Sequence, residues 1–467
     1  MANNCKIFTP TKYVKELLDS VGYKSNKSLF DKYVLENSCG DGNVLSEVVD
    51  RYIKSALKDD KQLNEIAEGL EKYIYGVELE TEHAENCKKN LDQVARKYGI
   101  YNVKWNIIEG NYLKQNIGTK FSYIIGNPPY ISYRDIEKEE RKYLQEKFAS
   151  CKDGKFDYYY AFIEKSISDM SLNGRMAYII PSSIYKNVFA SNLRKIMKPY
   201  VEKIYDYTYQ TKFPGTTTSS TILVLKKQHC QVMKYYDVAE KKCISLNKDN
   251  FTEKWEFVET AQNKGAYNFG DYFNVSNTIA TLCNEAFLLE DYKVENGFYV
   301  LNDDKVERDV VRTAVSRRRG KKMAIIFPYY FKDGKIANYS KEEFELKYPY
   351  AVRHLKKFEK KLQDRAADKN AEWFEYGRSQ AISKMNEEKL MLPSILTSNV
   401  VITKISRTEI PCAGFIITQK GNLSLDYAKN ILESIDFYEY LKRKGIYTTG
   451  KSRRLTTKDI AEYTFDM

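Results

Sequence analysis

Between residues 30 and 227 the chain alternates short apolar runs with longer stretches whose apolar positions recur every three or four residues. The short runs are Tyr33-Val34-Leu35, Tyr73-Ile74-Tyr75-Gly76-Val77, Val103 to Ile108, Tyr123-Ile124-Ile125, Met176 to Ile180, Ile204 to Tyr207 and Ser220 to Leu225. They are β-prone and bounded by glycine, proline or asparagine, so they predict strands. Helices are predicted from Tyr13, over Leu45 to Ile53, over 81–98, from Phe156 through Met170 with Gly174 as the stop, and over 189–198. Thr9 or Thr11, with Pro10 beside the first turn, can start the first helix. Strands alternating with helices predict an α/β domain: a mostly parallel sheet with a late antiparallel pair and helices on both faces. The alternation lapses over 228–275, which is polar and charged. The domain boundary is therefore placed at 265, giving domains 1–265 and 266–467. The second carries β signals at 267–274, 298–301 and 323–330 and helical signals at 344–364 and 424–443, a mixed α+β pattern.

Candidate chemistry sits where the strands end, the edge at which open α/β sheets bind ligands. The fourth strand runs into Asn127-Pro128-Pro129-Tyr130. Two prolines cannot continue a ladder and they fix φ, so the chain leaves the strand as a stiff turn. An amide oxygen, a proline carbonyl and an aromatic face are thereby held at one edge. Asn127 and Pro128 can each accept one N–H of an exocyclic amine such as adenine's, and Tyr130 offers a face for a planar base. After the first strand comes Glu36-Asn37-Ser38-Cys39-Gly40-Asp41-Gly42, whose glycines permit a sharp turn and close approach to a ligand. The loop lacks the full dinucleotide fingerprint and the phosphate-binding lysine. The second strand ends in Glu78-Leu79-Glu80; an acid at that tip grips a ribose diol in doubly wound nucleotide folds, the role given to Glu78. The third ends in Asn111-Tyr112, where Asn111 either meets an adenine edge or makes a turn.

Composition narrows the classes. The formal charge is +12 and there are 39 tyrosines, many beside lysines, which favours a polyanionic partner. Basic clusters in the second domain (Arg317 to Lys322, Arg353 through Lys361, Lys442 to Lys444 with Arg453 and Arg454), interleaved with Trp373, Phe374 and Tyr376, suggest a phosphate-tracking surface. Eight cysteines stand singly and three histidines are spread through the chain, which disfavours zinc sites and histidine-dependent nucleophiles. No run of about 18 apolar residues predicts a membrane span. The expectation is a cytoplasmic protein with no membrane association.

With these motifs in order, residues 8–227 resemble the gamma-type DNA adenine-N6 methyltransferases of type II restriction–modification systems; 269–465 resemble them more loosely. The resemblance implies a Rossmann-like class I methyltransferase domain followed by a DNA target-recognition domain. It implies S-adenosyl-L-methionine as cofactor, held by Thr9, Pro10, Glu36, Ser38, Cys39, Gly40, Gly42, Glu78, Leu79, Asn111, Tyr112, Asn127 and Pro129. Asn127, Pro128 and Tyr130 would be catalytic, with Phe213 stacking on a flipped base. Partners would be double-stranded DNA and a separately encoded endonuclease, since no PD…ExK-type cluster follows 265 and little chain precedes Phe8. Two departures stand out: the glycine loop begins Glu36-Asn37-Ser38-Cys39 where the family has Glu-Pro-Ala-Cys, and Asn111 replaces an aspartate. The Asn-Pro-Pro-Tyr motif also orients glutamine amides, so a protein or RNA methyltransferase is the first rival. A silent DNA-binding subunit is the second.

Overall fold

Nine strands form one sheet in the order β3-β2-β1-β4-β5-β7-β6-β8-β9. They are β1 (Val34–Glu36), β2 (Ile74–Glu78), β3 (Asn106–Glu109), β4 (Phe121–Gly126), β5 (Met170–Pro181), β6 (Val201–Asp206), β7 (Ser220–Lys226), β8 (Val232–Asp237) and β9 (Lys242–Asn247). The computed structural model describes residues 10–208, 219–258, 265–302, 304–315, 323–397, 399–448 and 452–467. Strands β1 to β5 pair in parallel, and β7 inserts antiparallel between β5 and β6.

Consecutive residues of the central strands serve opposite faces, as the period of two demands. Val34, Ile125, Ala177 and Val224 pack under α1 (Thr11–Val21), α2 (Asn43–Lys58), α3 (Leu63–Tyr73) and α4 (Thr81–Arg96). Leu35, Ile124, Met176 and Leu223 pack on the other face, against helices that include α6 (Tyr159–Asp169) and α7 (Ser191–Met197); α5 (Lys138–Lys147) precedes α6. With both faces covered, the strands read as continuous apolar runs.

Three expectations need correction. Gly174 does not end α6; it lies inside β5, where a β-carbon would come 2.7 Å from the Phe121 carbonyl oxygen, so close strand pairing requires glycine. The polar segment after 227 is not outside the sheet: β8 and β9 form a hairpin that extends it, β8 pairing in parallel with β6. Its alternation was masked because Lys234, Tyr235 and Tyr236 dilute the apolar face that Met233 supplies. Helix α3 was not anticipated; a capping box between Gln62 and Glu65 starts it.

The chain divides into two units, Met1–Ala261 with Ile446–Lys451, and Gln262–Gly445 with Ser452–Met467. The second unit has its own cores and small sheets. The two long helices expected there are broken into Lys341–Lys347, Pro349–Lys356 and Glu359–Asp364, and into Leu425–Leu432 and Ile435–Lys444. Pro349 and Ser434 supply the breaks, each at a helix start.

Candidate active site

The chain runs from β1 outward through β2 to β3, then crosses back to place β4 on the other side of β1. This reversal opens a crevice beyond the carboxyl ends of β1 and β4. The glycine loop leaves β1 and the Asn127 turn leaves β4, so the topology brings them together. Ser38 Oγ lies 3.3 Å from the Asn127 carbonyl oxygen.

In the loop after β1, Glu36 is buried and accepts the Leu45 amide at 3.1 Å, capping the first turn of α2. Burial pushes its carboxyl well above the ordinary carboxylate range, and the neighbouring Cys87 and Glu78 add to the shift. Gly40 and Gly42 have φ of +51° and +82°, conformations that suit glycine. A β-carbon on Gly42 would meet Cys87 Sγ at 2.6 Å, whereas nothing lies within 4 Å of one on Gly40. The loop is pressed onto α4 at one glycine and open at the other. Asp41 is held by His83 Nδ1 at 2.7 Å and through its backbone oxygen by Asn90 at 2.8 Å.

Glu78 closes the far side of this loop. One carboxylate oxygen accepts the Gly40 amide at 2.8 Å; the other accepts those of Leu79 (2.8 Å) and Glu80 (3.0 Å). Leu79 is half exposed beside it. After β3, Asn111 caps a short turn by accepting the Leu113 amide, and its amide nitrogen donates to Tyr158 Oη (3.0 Å) and Glu140 (3.2 Å). The turn half of the two readings of Asn111 is therefore present.

At the elbow Pro128 is buried, while Asn127, Pro129 and Tyr130 are half-buried. Tyr130 Oη is within hydrogen-bond reach of both Asn127 Oδ1 and the Ile179 carbonyl (2.6 Å), and its single hydrogen can serve one of them at a time. The Tyr130 ring meets Tyr159 edge-on at 5.8 Å. Burial raises the Tyr130 phenol, which stays protonated.

Not every expected residue lines the crevice. Tyr112 is in the core, 2% exposed, with its hydroxyl on Asp169 at 2.8 Å. Cys39 likewise turns its thiol inward, against Cys87, and the hydrogen bond with that thiol, followed by burial, pushes it up. These two support the site from beneath, because an aromatic or thiol following a polar turn is readily drawn into the nearest apolar layer. Pro10 precedes α1 and its carbonyl accepts the amides of Tyr13 and Val14. Thr9 and Phe213 lie outside the described residues, as does the 317–322 basic cluster. Asn37, Tyr178 and Ser166, buried beside the elbow, were missed by sequence reasoning; a polar residue in an apolar run is their only signal.

Residues 45–213 match the family model of the Eco57I restriction–modification methylase. The Escherichia coli type II restriction enzyme and methyltransferase RM.Eco57I is 22% identical over 84% of this chain and 49% of its own. Type II methyltransferase M.BstVI of Geobacillus stearothermophilus is 27% identical over 57% of this chain and 50% of its own. This chain's relatives are type II restriction–modification methylases. It spans about half the length of those it matches. Among solved structures, the Type IIL restriction–modification enzyme MmeI in complex with DNA superposes with TM-score 0.64 and 13% identity, over 97% of this chain and 65% of that one. The first unit is an α/β domain whose largely parallel sheet takes β7 as an antiparallel insertion.

Proposed function

We propose that the chain transfers a methyl group from S-adenosylmethionine to N6 of an adenine in double-stranded DNA, as the modification component of a restriction–modification system. The observation that carries this reading is the pairing, at one switch point, of the Asn127-Pro128-Pro129-Tyr130 elbow with the Glu36–Gly42 loop. The loop suits the cofactor: nothing lies within 4 Å of a β-carbon on Gly40, Glu78 offers two carboxylate oxygens at the β2 tip, and Ser38 stands beside the Asn127 carbonyl. Bound there, the cofactor supplies a methyl group on a positively charged sulfur.

The chain's own residues do the rest by orientation and electrostatics. An adenine must leave the duplex to reach the crevice, costing a few kcal/mol that stacking offsets. Tyr130 supplies one face; Phe213 is the proposed second. The Tyr130 phenol has a single hydrogen, and the Ile179 carbonyl takes it at 2.6 Å. A half-turn of the Asn127 carboxamide then lets its nitrogen donate to the phenol and aims its oxygen at an incoming amine. With the Pro128 carbonyl as second acceptor, the amine is drawn from planarity towards a nucleophilic lone pair.

Tritium from labelled cofactor should be counted on duplex DNA, ribosomal RNA and peptide-release factors, and modified adenines mapped by long-read sequencing of an expressing host. Label on DNA alone is expected; label on RNA or on release factors would place the chain with the glutamine- or RNA-modifying enzymes. Asn127→Ala should lose on the order of 10²–10³ in turnover while still binding cofactor. A partner endonuclease, or nuclease sequence beyond the matched half as in RM.Eco57I, completes the proposed system.

A further inference from the structure

Beneath the crevice lies a buried chain of side chains to which the reaction assigns no part. Asn37 Nδ2 donates to Tyr178 Oη and, at 3.1 Å, to Ser166 Oγ. Tyr178 Oη and Ser166 Oγ are 2.7 Å apart, Ser166 Oγ and Tyr112 Oη 3.3 Å, and Tyr112 Oη donates to Asp169 Oδ2 at 2.8 Å. Lys165 Nζ pairs with that same oxygen at 3.0 Å. Asn37, Tyr112, Ser166 and Tyr178 are all nine-tenths or more buried.

The direction of every bond follows from hydrogen counting. Asp169 only accepts, so Tyr112 spends its single hydrogen there. Ser166 must then donate to Tyr112, which leaves Tyr178 to donate to Ser166 and to accept from Asn37. The chain is continuous and one-way, with a donor amide at one end and a carboxylate at the other. Such chains strengthen cooperatively in a low-dielectric interior and fail as units.

Two of its members lie on separate parts of the proposed cofactor cradle. Asn37 begins the glycine loop after β1, and Tyr112 follows Asn111 in the turn after β3. Tyr178, on β5, pairs directly with Gly126, the residue before Asn127. A β-carbon on Gly126 would sit 3.7 Å from both Asn37 Oδ1 and a Tyr178 ring carbon, so the chain passes under the root of the elbow.

We propose that Asn37, Tyr178, Ser166 and Tyr112 are positioning residues that lock the glycine loop and the β3 turn into one rigid cradle for the cofactor. The inference rests on the methyltransferase reading and deepens it.

The test is calorimetric binding of S-adenosylhomocysteine to the full chain, with the melting temperature recorded for each variant. Tyr112→Phe and Tyr178→Phe remove one hydroxyl each and keep the ring. One lost hydrogen bond to the ordered cradle corresponds to about a tenfold rise in Kd. We expect that rise in each variant, and a double variant no weaker than the weaker single within about threefold, the sign of one shared unit. Ser166→Ala should behave like them, and Ser166→Thr, which keeps a hydroxyl, should restore affinity. Single variants within twofold of wild type, or a double loss equal to the product of the single losses, overturn the inference. A fall in melting temperature with unchanged Kd also overturns it, because the role is then structural only. If wild-type protein binds no S-adenosylhomocysteine, the methyltransferase reading itself is overturned, a result distinct from the others.

Discussion

In the proposed reaction Asn127 and Tyr130 divide one task between them. The amide has two orientations of similar shape, and the proposed role of the phenol, which contacts Asn127 Oδ1 and the Ile179 carbonyl, is to select between them. Tyr130→Phe keeps the stacking face and loses the selection. It should lower single-turnover methylation about tenfold, the worth of one buried hydrogen bond, and leave cofactor Kd unchanged by calorimetry. Glu36 poses a different problem, since it is a buried acid that accepts a backbone hydrogen bond from Leu45 and, among the described residues, has no cation beside it. Its folded pKa lies above its unfolded value, so the native state binds the proton more tightly and stability falls as pH rises above about 4.3. Glu36→Gln should therefore raise the melting temperature more at pH 8 than at pH 5; equal gains at both would show that the carboxyl carries no such penalty.

At the scale of elements, the glycine loop and α4 form one unit through Gly42. Alanine there would have to hold φ near +82° and place a methyl 2.6 Å from Cys87 Sγ. The left-handed conformation alone costs about 1–2 kcal/mol, so Gly42→Ala should destabilise by more than that in urea unfolding. Gly40→Ala meets open space and should cost only the conformational part. The second unit corrects the reading of its aromatic and basic residues. Phe374 stacks on Phe344 at 4.2 Å and Tyr376 is 1% exposed, so both are core rather than a nucleic-acid platform. Arg365 donates to the carbonyls of Thr281, Trp373 and Glu375, pinning the chain around them. Burial raises Asp304, but hydrogen bonds from Lys357 and His354 outweigh it and hold the carboxylate below its usual range.

For the whole molecule, a formal charge of +12 makes salt a sensitive probe of partners. Arg353, on the helix Pro349–Lys356, is 57% exposed at its side chain while its neighbour Asp304 is not. If Arg353 contacts a phosphate, Arg353→Ala should weaken binding evenly across DNA sequences and reduce the slope of log K against log salt by about 0.9. Filter binding across a salt series measures both, and an unchanged slope would remove Arg353 from the backbone-contacting set.

The strand positions of the first unit were legible because both faces of a parallel sheet are buried, which writes each strand as an unbroken apolar run. The elbow was legible because two adjacent prolines after such a run allow few other structures. The hairpin β8–β9, α3 and the fate of Tyr112, Cys39, Phe374 and Tyr376 were not. Each depends on which layer a side chain finds, and that is decided by residues distant in sequence. Only the fold closed the chain from Asn37 to Asp169, since hydrogen bonds between polar side chains from four separate segments leave no periodicity in the sequence. Local steric rules thus set where the chain turns and what chemistry each turn carries; the burial of shared polar atoms, a property of the packed interior alone, decided which turns act together.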